Sequence, residues 1–134
     1  MSGEVETDKS KFNWVSERSA CSIPKVFRTL RMRVEEDVKT RNALRPELSP
    51  YEFSMVESGD QFQVVLEAKD VRRSVTFALT DHAIVVSDDN GNQLFEVTVS
   101  FTEDGKCRIN AREQKCELWQ VQRMALEDLM FRAN

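Results

Sequence analysis

Glycine and histidine are scarce in this chain, and the shortage excludes several kinds of chemistry. The 134 residues include four glycines and one histidine. Phosphate-binding loops and dinucleotide folds depend on closely spaced glycines, and the sequence contains no such motif. Metal sites and activated nucleophiles depend mostly on histidine, so a single one disfavours both. The composition therefore predicts no cofactor and no metal site, and it leans against an enzyme.

Long apolar runs and an excess of positive charge are also missing. No apolar run approaches the roughly 20 residues that span a bilayer, and Met1–Lys11 is polar rather than a signal peptide. The formal net charge is −4, which disfavours general affinity for nucleic acid because that affinity is dominated by cationic contacts to phosphate. We expect a soluble protein without membrane or nucleic-acid partners.

Cysteine is present but unpatterned. Cys21, Cys107 and Cys116 are odd in number and have no CxxC spacing, so we expect neither a disulfide framework nor a zinc site. Cys107 is predicted to face the core, and the other two lie near predicted helix starts. Free thiols of this kind predict a cytoplasmic location, where the environment is reducing.

The chain divides into a short lead and one domain. Met1–Lys11 has one aliphatic side chain beyond the initiator Met, too little to offset the entropy of ordering it, so residues 1–11 are predicted to be disordered. Phe12, Trp14 and Val15 follow closely, and we expect them to fasten the lead to the domain; a free docking peptide is the alternative. Residues 12–134 suit a single domain.

Two amphipathic helices bracket that domain. The first begins near Ser22, a suitable N-cap, and Pro24 occupies its first turn. Its apolar side chains recur every three or four residues: Ile23, Phe27, Leu30, Val34 and Val38. The second helix is predicted from about Gln114 to Phe131. Its apolar arc is broad and comprises Leu118, Trp119, Val121, Ala125, Leu126, Leu129 and Met130.

Between Tyr51 and Arg112 the apolar period becomes two, and turn signals interrupt it about every ten residues. The pattern predicts six strands joined by loops too short for a parallel crossover, which gives an antiparallel meander. One face of the sheet is apolar and the other is polar. We therefore predict an α+β fold with an N-terminal helix, a six-stranded antiparallel meander and a C-terminal helix, both helices packed on the apolar sheet face.

Three polar features suggest chemistry. His82 follows Asp81, but adjacent strand residues point to opposite faces, which predicts a histidine in a solvent-exposed turn. The segment 88–92 resembles a calcium loop, yet its spacing does not match one and its Asn-Gly pair predicts a hairpin. Carboxylates share the polar sheet face, and a pair of them stays an open alternative because strand register cannot be read from sequence; the three are Glu52, Glu67 and Glu96.

The last predicted strand concentrates basic side chains. Lys106, Arg108, Asn110 and Arg112 are predicted to point to the polar face. Such residues either discourage aggregation at a sheet edge or form a patch for an acidic partner. We hypothesise a non-catalytic interaction or regulatory module that binds a protein partner, or a second copy of itself, through the polar face or a free edge.

The alternative hypothesis is a small-molecule-binding protein or enzyme. If the sheet curves strongly, a cavity opens between it and the second helix. Its lining would comprise Phe77, Phe95, Val97, Trp119 and Met130. The same side chains also make an adequate solid core, so the packing of this region distinguishes the two hypotheses.

Overall fold

The computed structural model describes residues 11–46 and 51–132 and shows an α+β fold. The helices are α1 (Trp14–Ala20), α2 (Ile23–Leu44) and α3 (Leu118–Glu127), and a π-helical turn at Asp128–Arg132 extends α3. The strands are β1 (Glu52–Ser58), β2 (Gln61–Ala68), β3 (Val71–Leu79), β4 (Ile84–Asp88), β5 (Gln93–Phe101), β6 (Cys107–Ala111) and β7 (Gln114–Cys116). The predicted lead, residues 1–11, lies outside the described residues except for Lys11. No helix in the described ranges is long and apolar enough to cross a membrane.

The sheet is the predicted antiparallel meander, with seven strands instead of six. Its strands are ordered β1 to β7. The additional strand, β7, was expected to begin the second helix, but it pairs with β6 and places Gln114 opposite Ala111. The connecting residues Arg112 and Glu113 have φ values of 53° and 63°, which suit a two-residue hairpin turn. The edge strand at this end is therefore β7, not β6.

Helix α2 begins where the sequence predicts. The Ser22 hydroxyl accepts a hydrogen bond from the Lys25 backbone N–H at 3.4 Å, which satisfies one of the unpaired donors of the first turn. The helix ends at Leu44, ahead of Pro46. Its buried stripe is the predicted one with Val26 added: Ile23, Val26, Phe27, Leu30, Val34 and Val38.

The core lies between the apolar sheet face and the two long helices. Phe62 of β2 stacks on Phe77 of β3, with ring centroids 4.6 Å apart. Phe27 of α2 meets Phe62 at 5.3 Å. Complete burial of each such side chain stabilises the fold by about 1.5–3 kcal/mol. Helix α3 and the turn after it complete the cluster with Val121, Ala125, Leu126, Leu129 and Met130.

The short helix α1 was not predicted. Asn13 caps it, accepting a hydrogen bond from the Ser16 N–H at 3.1 Å, and the helix buries no residue. Three apolar residues were expected to attach the N-terminal lead to the domain. One of them, Phe12, lies against Gly105 in the β5–β6 turn. Trp14 and Val15 are largely exposed. The expected contact is therefore made by one ring rather than by a cluster.

A disulfide joins the α1–α2 junction to the start of β6. It links Cys21 to Cys107, which are 86 residues apart in sequence, with Cα atoms 5.3 Å apart. The expectation of three free cysteines is thus wrong. Cys107 lies on the same side of β6 as Ile109 and Ala111, the side predicted for it, but it is exposed at the residue level. Only Cys116 is a free thiol among the described cysteines. Disulfides are typical of oxidising compartments, so this pair weighs against the predicted cytoplasmic location.

Candidate interaction surfaces

Two of the predicted basic-site residues lie on the outer face of β6, the face opposite the helices. Arg108 is opposite Ser100 and Asn110 is opposite Thr98 in the β5–β6 register. They alternate with Ile109 and the buried Ala111, which face the core. The Asn110 side-chain amide donates to the Ser100 hydroxyl at 3.3 Å. This hydrogen bond holds the amide on the outer surface beside the Arg108 side chain.

Lys106 precedes β6 at the turn, where an acidic residue is close. The Thr102 hydroxyl donates a hydrogen bond to the Asp104 carboxylate, and this bond is the largest cause of a lowered pKa for Asp104. The positive charges of Lys106 and Arg108 lower that pKa further. Asp104 therefore offsets part of the positive charge at this end of the strand.

Arg112 lies at the opposite end of β6, in the turn rather than in the strand. Its guanidinium carbon is 5.1 Å from the centroid of the Phe95 ring, a cation–π contact. Arg112 and Asn110 border a shallow hollow of about 360 Å³ on β5 and β6. The structure thus brings Asn110 and Arg112 together, whereas Lys106 is roughly 20 Å from Arg112 at about 3.4 Å per residue.

Beyond the turn, Lys115 on β7 adds a further cation. Together with Arg112 it borders a polar hollow of about 440 Å³ between β7 and α3. We call Lys106, Arg108, Asn110, Arg112 and Lys115 the basic face. None of its four cations forms a salt bridge with another residue that the structure describes.

The paired cations lie elsewhere in the described chain. Arg123 and Arg132 both bind Glu127, and Arg132 also binds Asp128 at 3.2 Å. Arg31 binds Glu57 at 3.3 Å and Arg72 binds Glu67 at 3.6 Å. Other described cations, such as Lys25, Arg28 and Arg33 of α2, also form no salt bridge. The basic face is therefore distinguished by the grouping of its four cations along β6, its turns and β7.

The two sheet edges are poor sites for an added strand. At β1, the Asn42 side-chain amide donates to the Phe53 carbonyl at 2.8 Å and accepts from the Phe53 N–H at 2.9 Å. Asn42 of α2 therefore occupies both backbone groups of Phe53, which a strand added at this point of β1 would need. At the other edge, β7 has three residues and carries Lys115, both of which discourage edge pairing. The outer face is the more suitable surface for a partner.

A second surface lies between α2 and α3, which we call the helix groove. It has a volume of about 380 Å³. Helix α2 contributes one stripe with spacings of three, one and three: Asp37, Thr40, Arg41 and Leu44. Helix α3 and its terminal turn contribute the opposite wall, including Trp119, Gln122, Arg123, Leu126, Glu127, Met130 and Phe131. Both walls thus combine apolar and charged side chains.

Two hydrogen bonds fix how the walls of the groove are aligned. The Gln122 side-chain amide donates to Asp37 Oδ2 at 2.6 Å, and Arg41 Nε donates to the Met130 carbonyl at 2.9 Å. Residue numbers rise together along both walls, so the two helices run in the same direction. Gln122 Oε1 is buried and has no hydrogen-bond donor among the described residues.

The predicted cavity residues fall into two groups. Phe77, Phe95, Val97 and Met130 belong to the buried core cluster. Trp119 is 51% exposed on the wall of the helix groove. The structure therefore separates Trp119 from the sheet residues it was expected to join. The small-molecule alternative stays a prediction: of its residues, Trp119 and Met130 border the helix groove, and Phe95 borders the hollow on β5 and β6.

The helix groove was not foreseen from the sequence. The sequence predicts Phe131 as the end of the second helix and places Trp119 in the apolar arc of that helix. The available signal was the breadth of that arc, which is wider than one packed face requires. An arc of that breadth indicates that some apolar side chains of α3 do not contact the sheet.

The structure shows where the histidine and the calcium-like segment of the sequence analysis lie. His82 is exposed in the β3–β4 turn. Asp88 Oδ1 accepts hydrogen bonds from the N–H groups of Asn90 and Asn92, both at 2.9 Å, which stabilises the predicted hairpin. No cluster of three or more potential metal ligands occurs in residues 11–46 and 51–132.

The open question of a carboxylate pair has a geometric answer. Glu52 is directly opposite Glu67 in the β1–β2 register, and Glu67 binds Arg72 at 3.6 Å. Glu96 lies on β5, which is separated from β2 by two strands. The closest pair is thus exposed and neutralised in part by an arginine, an arrangement typical of a solvated surface.

Comparison of the chain with protein-family models, curated proteins and solved structures yields no match. The function is therefore argued from the chemistry of these surfaces alone.

Proposed function

We propose that this protein is a non-catalytic interaction module that binds an acidic segment of a protein partner through the basic face. The supporting observation is the grouping of four exposed cations along β6, its turns and β7, none of which forms an ion pair within the described chain. Charge-assisted hydrogen bonds from arginine to carboxylate are roughly twice as strong as neutral ones. An acidic partner would supply carboxylates that pair directly with these cations.

The strand geometry suits an extended acidic segment. Arg108 and Asn110 are two residues apart on one face of β6, a separation of about 6.8 Å. Alternate side chains of an extended peptide repeat at the same distance, so carboxylates at every second residue match this spacing. Arg112 then engages the far end of the segment, and its stacking on Phe95 reduces the entropy lost on binding.

The salt dependence of binding follows from the exposure of the site. Lys106, Arg108, Arg112 and Lys115 are all exposed, so their attraction to carboxylates is screened within about 10 Å at 0.1 M salt. The affinity should fall as the salt concentration rises. The spacing of the arginines should determine which acidic segments bind. The local positive charge should increase the rate of association.

The test measures binding of the full chain to a fluorescent peptide of alternating glutamate and serine. Arg108→Glu is expected to weaken binding at least about tenfold, because it places a like charge against the peptide. The matched control is Arg28→Glu on α2, which makes the same change in net charge at an exposed arginine away from the basic face. Thermal unfolding of both variants should match the wild type.

Two results would contradict the proposal. Equal weakening by Arg108→Glu and Arg28→Glu would show that the peptide responds only to net charge. Absence of binding by the wild-type chain at low ionic strength would show that the basic face does not hold a carboxylate segment.

A further inference from the structure

We infer that the helix groove is a self-association surface, which docks against the helix groove of a second copy of this chain to form a symmetric dimer. The groove lies between α2 and α3, on the side of the molecule that carries the helices. Arg108 and Asn110 of the basic face lie on the opposite side of the sheet, whereas Arg112 and Lys115 border a hollow that shares Trp119, Arg123 and Glu127 with the groove. The inference is argued from the groove alone and does not depend on the proposed function.

Large apolar side chains that should be buried are exposed around the groove. Leu44 is 74% exposed, Phe131 is 68% exposed and Trp119 is 51% exposed. Single exposed apolar residues are common on protein surfaces, but these three border one recess whose floor includes the buried Leu126 and Met130. Several large exposed apolar side chains around one recess are typical of an interface.

The charges on the two walls occur in opposite order. Helix α2 presents Asp37 and then Arg41, whereas α3 presents Arg123 and then Glu127. The hydrogen bond between Gln122 and Asp37 places Arg123 near the level of Asp37. Both helices rise about 1.5 Å per residue, so the same alignment places Arg41 near the level of Glu127, and the Arg41 side chain reaches on to the Met130 carbonyl. Each acid on one wall is thus level with a base on the other.

This order makes the surface complementary to itself. Rotation of a second copy about a two-fold axis parallel to the groove lays its α3 over the α2 of the first copy, at the same level and in the same direction. Asp37 then faces Arg123 of the second copy, and Arg41 faces Glu127. Leu44 faces Phe131 in the same arrangement, and the symmetry repeats each contact.

A second copy fits this surface better than an unrelated partner. The groove presents two acids and two bases, Asp37, Glu127, Arg41 and Arg123, so two copies meet without a net repulsion. The same surface also carries both a recess and projecting side chains. In the dimer, the projecting side chains of each copy enter the recess of the other. An isologous interface requires this combination of features on a single patch.

Sedimentation velocity of the full chain over a range of concentrations tests the inference. The wild type is expected to form a dimer as its concentration rises. Leu44→Lys should raise the dimer dissociation constant by at least about tenfold, because it places a charge against Phe131 of the second copy. Met32→Lys is the matched control, since Met32 is 60% exposed on the same helix and does not border the groove.

A charge exchange tests the alignment itself. Asp37→Arg and Arg123→Asp should each weaken the dimer, because each places like charges opposite one another, and the double variant should recover it. Three results would overturn the inference. The wild-type chain stays monomeric at every concentration, the Leu44→Lys variant dimerises like the wild type, or the chain assembles beyond a dimer. The Leu44→Lys variant should bind the acidic peptide as the wild type does. Peptide binding therefore tests the proposed function, and sedimentation tests the dimer, independently of one another.

Discussion

Two glycines in hairpin turns allow a direct comparison of backbone strain with side-chain contact. Gly59 and Gly105 have φ values of 60° and 82°, in the left-handed region that side chains rarely adopt. A Cβ atom at Gly59 would meet nothing within 4 Å, whereas one at Gly105 would lie 2.6 Å from the Phe12 ring. A substitution at Gly59 therefore measures backbone strain alone. A substitution at Gly105 also measures the contact by which Phe12 packs the α1 region against the sheet.

Substitution by alanine should separate these two effects. Gly59→Ala is expected to lower the free energy of unfolding by about 1–2 kcal/mol, the cost of a left-handed alanine. Gly105→Ala should cost more, because the Phe12 ring has to move. In a Phe12→Ala background the cost of Gly105→Ala should fall to that of Gly59→Ala. Urea unfolding of the wild type and the four variants measures the three costs, and an unchanged cost in that background would show that Phe12 does not pack on Gly105 in solution.

At the scale of one element, ion pairs shape the end of α3. The Glu127 carboxylate accepts hydrogen bonds from Arg123 and Arg132. The hydrogen bond from Arg123 is the largest cause of a lowered pKa for Glu127, followed by the charge of the same arginine. Because the folded pKa is below the unfolded one, the stabilisation is present above the unfolded pKa and is lost as the pH falls through the folded pKa.

Removal of the arginine should reverse this shift. We expect Arg123→Gln to raise the pKa of Glu127 toward its ordinary value, and Arg132→Gln to raise it less. Carbon-13 NMR titration of the Glu127 carboxyl measures both values. Arg28→Gln, on another helix, should leave this pKa unchanged. A Glu127 pKa that is unaffected by Arg123→Gln would contradict the described ion pair.

Much of the secondary structure could be predicted because its signals are local. Ser22 and Pro24 define the start of α2, and the alternation of apolar residues defines six strands. Strand β7 gave no such signal, since three residues are too few to show a period. Its turn uses Arg112 and Glu113 in left-handed conformations without glycine, so the usual hairpin signature was missing as well.

The candidate surfaces were predictable to different degrees. The outward direction of Arg108 and Asn110 follows from alternation along one strand, and the register shows it. Arg112 was placed on that strand, but it lies in a turn that only the pairing of β7 reveals. The helix groove depends on the distance and direction between two helices that are far apart in sequence, and no local pattern contains this information.

At the scale of the whole molecule, the disulfide connects the two ends of the fold. Cys21 precedes α2, and Cys107 begins β6, so the bond closes a loop that contains most of the sheet. Which cysteines meet depends on the tertiary structure, and for this reason their spacing in the sequence could not show the pairing. The bond restricts the unfolded chain across 86 residues of sequence separation, and long loops restrict it most.

Loss of the disulfide should therefore cost more than any single contact on the surface. Cys21→Ser with Cys107→Ser is expected to lower the free energy of unfolding by about 4.6 kcal/mol, as the loop-entropy model gives for a loop of this length. Reduction of the wild type should have the same effect, measured by urea unfolding with and without reductant. Cys116→Ser is the control and should change the value by less than about 0.5 kcal/mol. Thiol titration of the denatured, unreduced protein should find one free thiol, that of Cys116, and three thiols would show that the pair does not form.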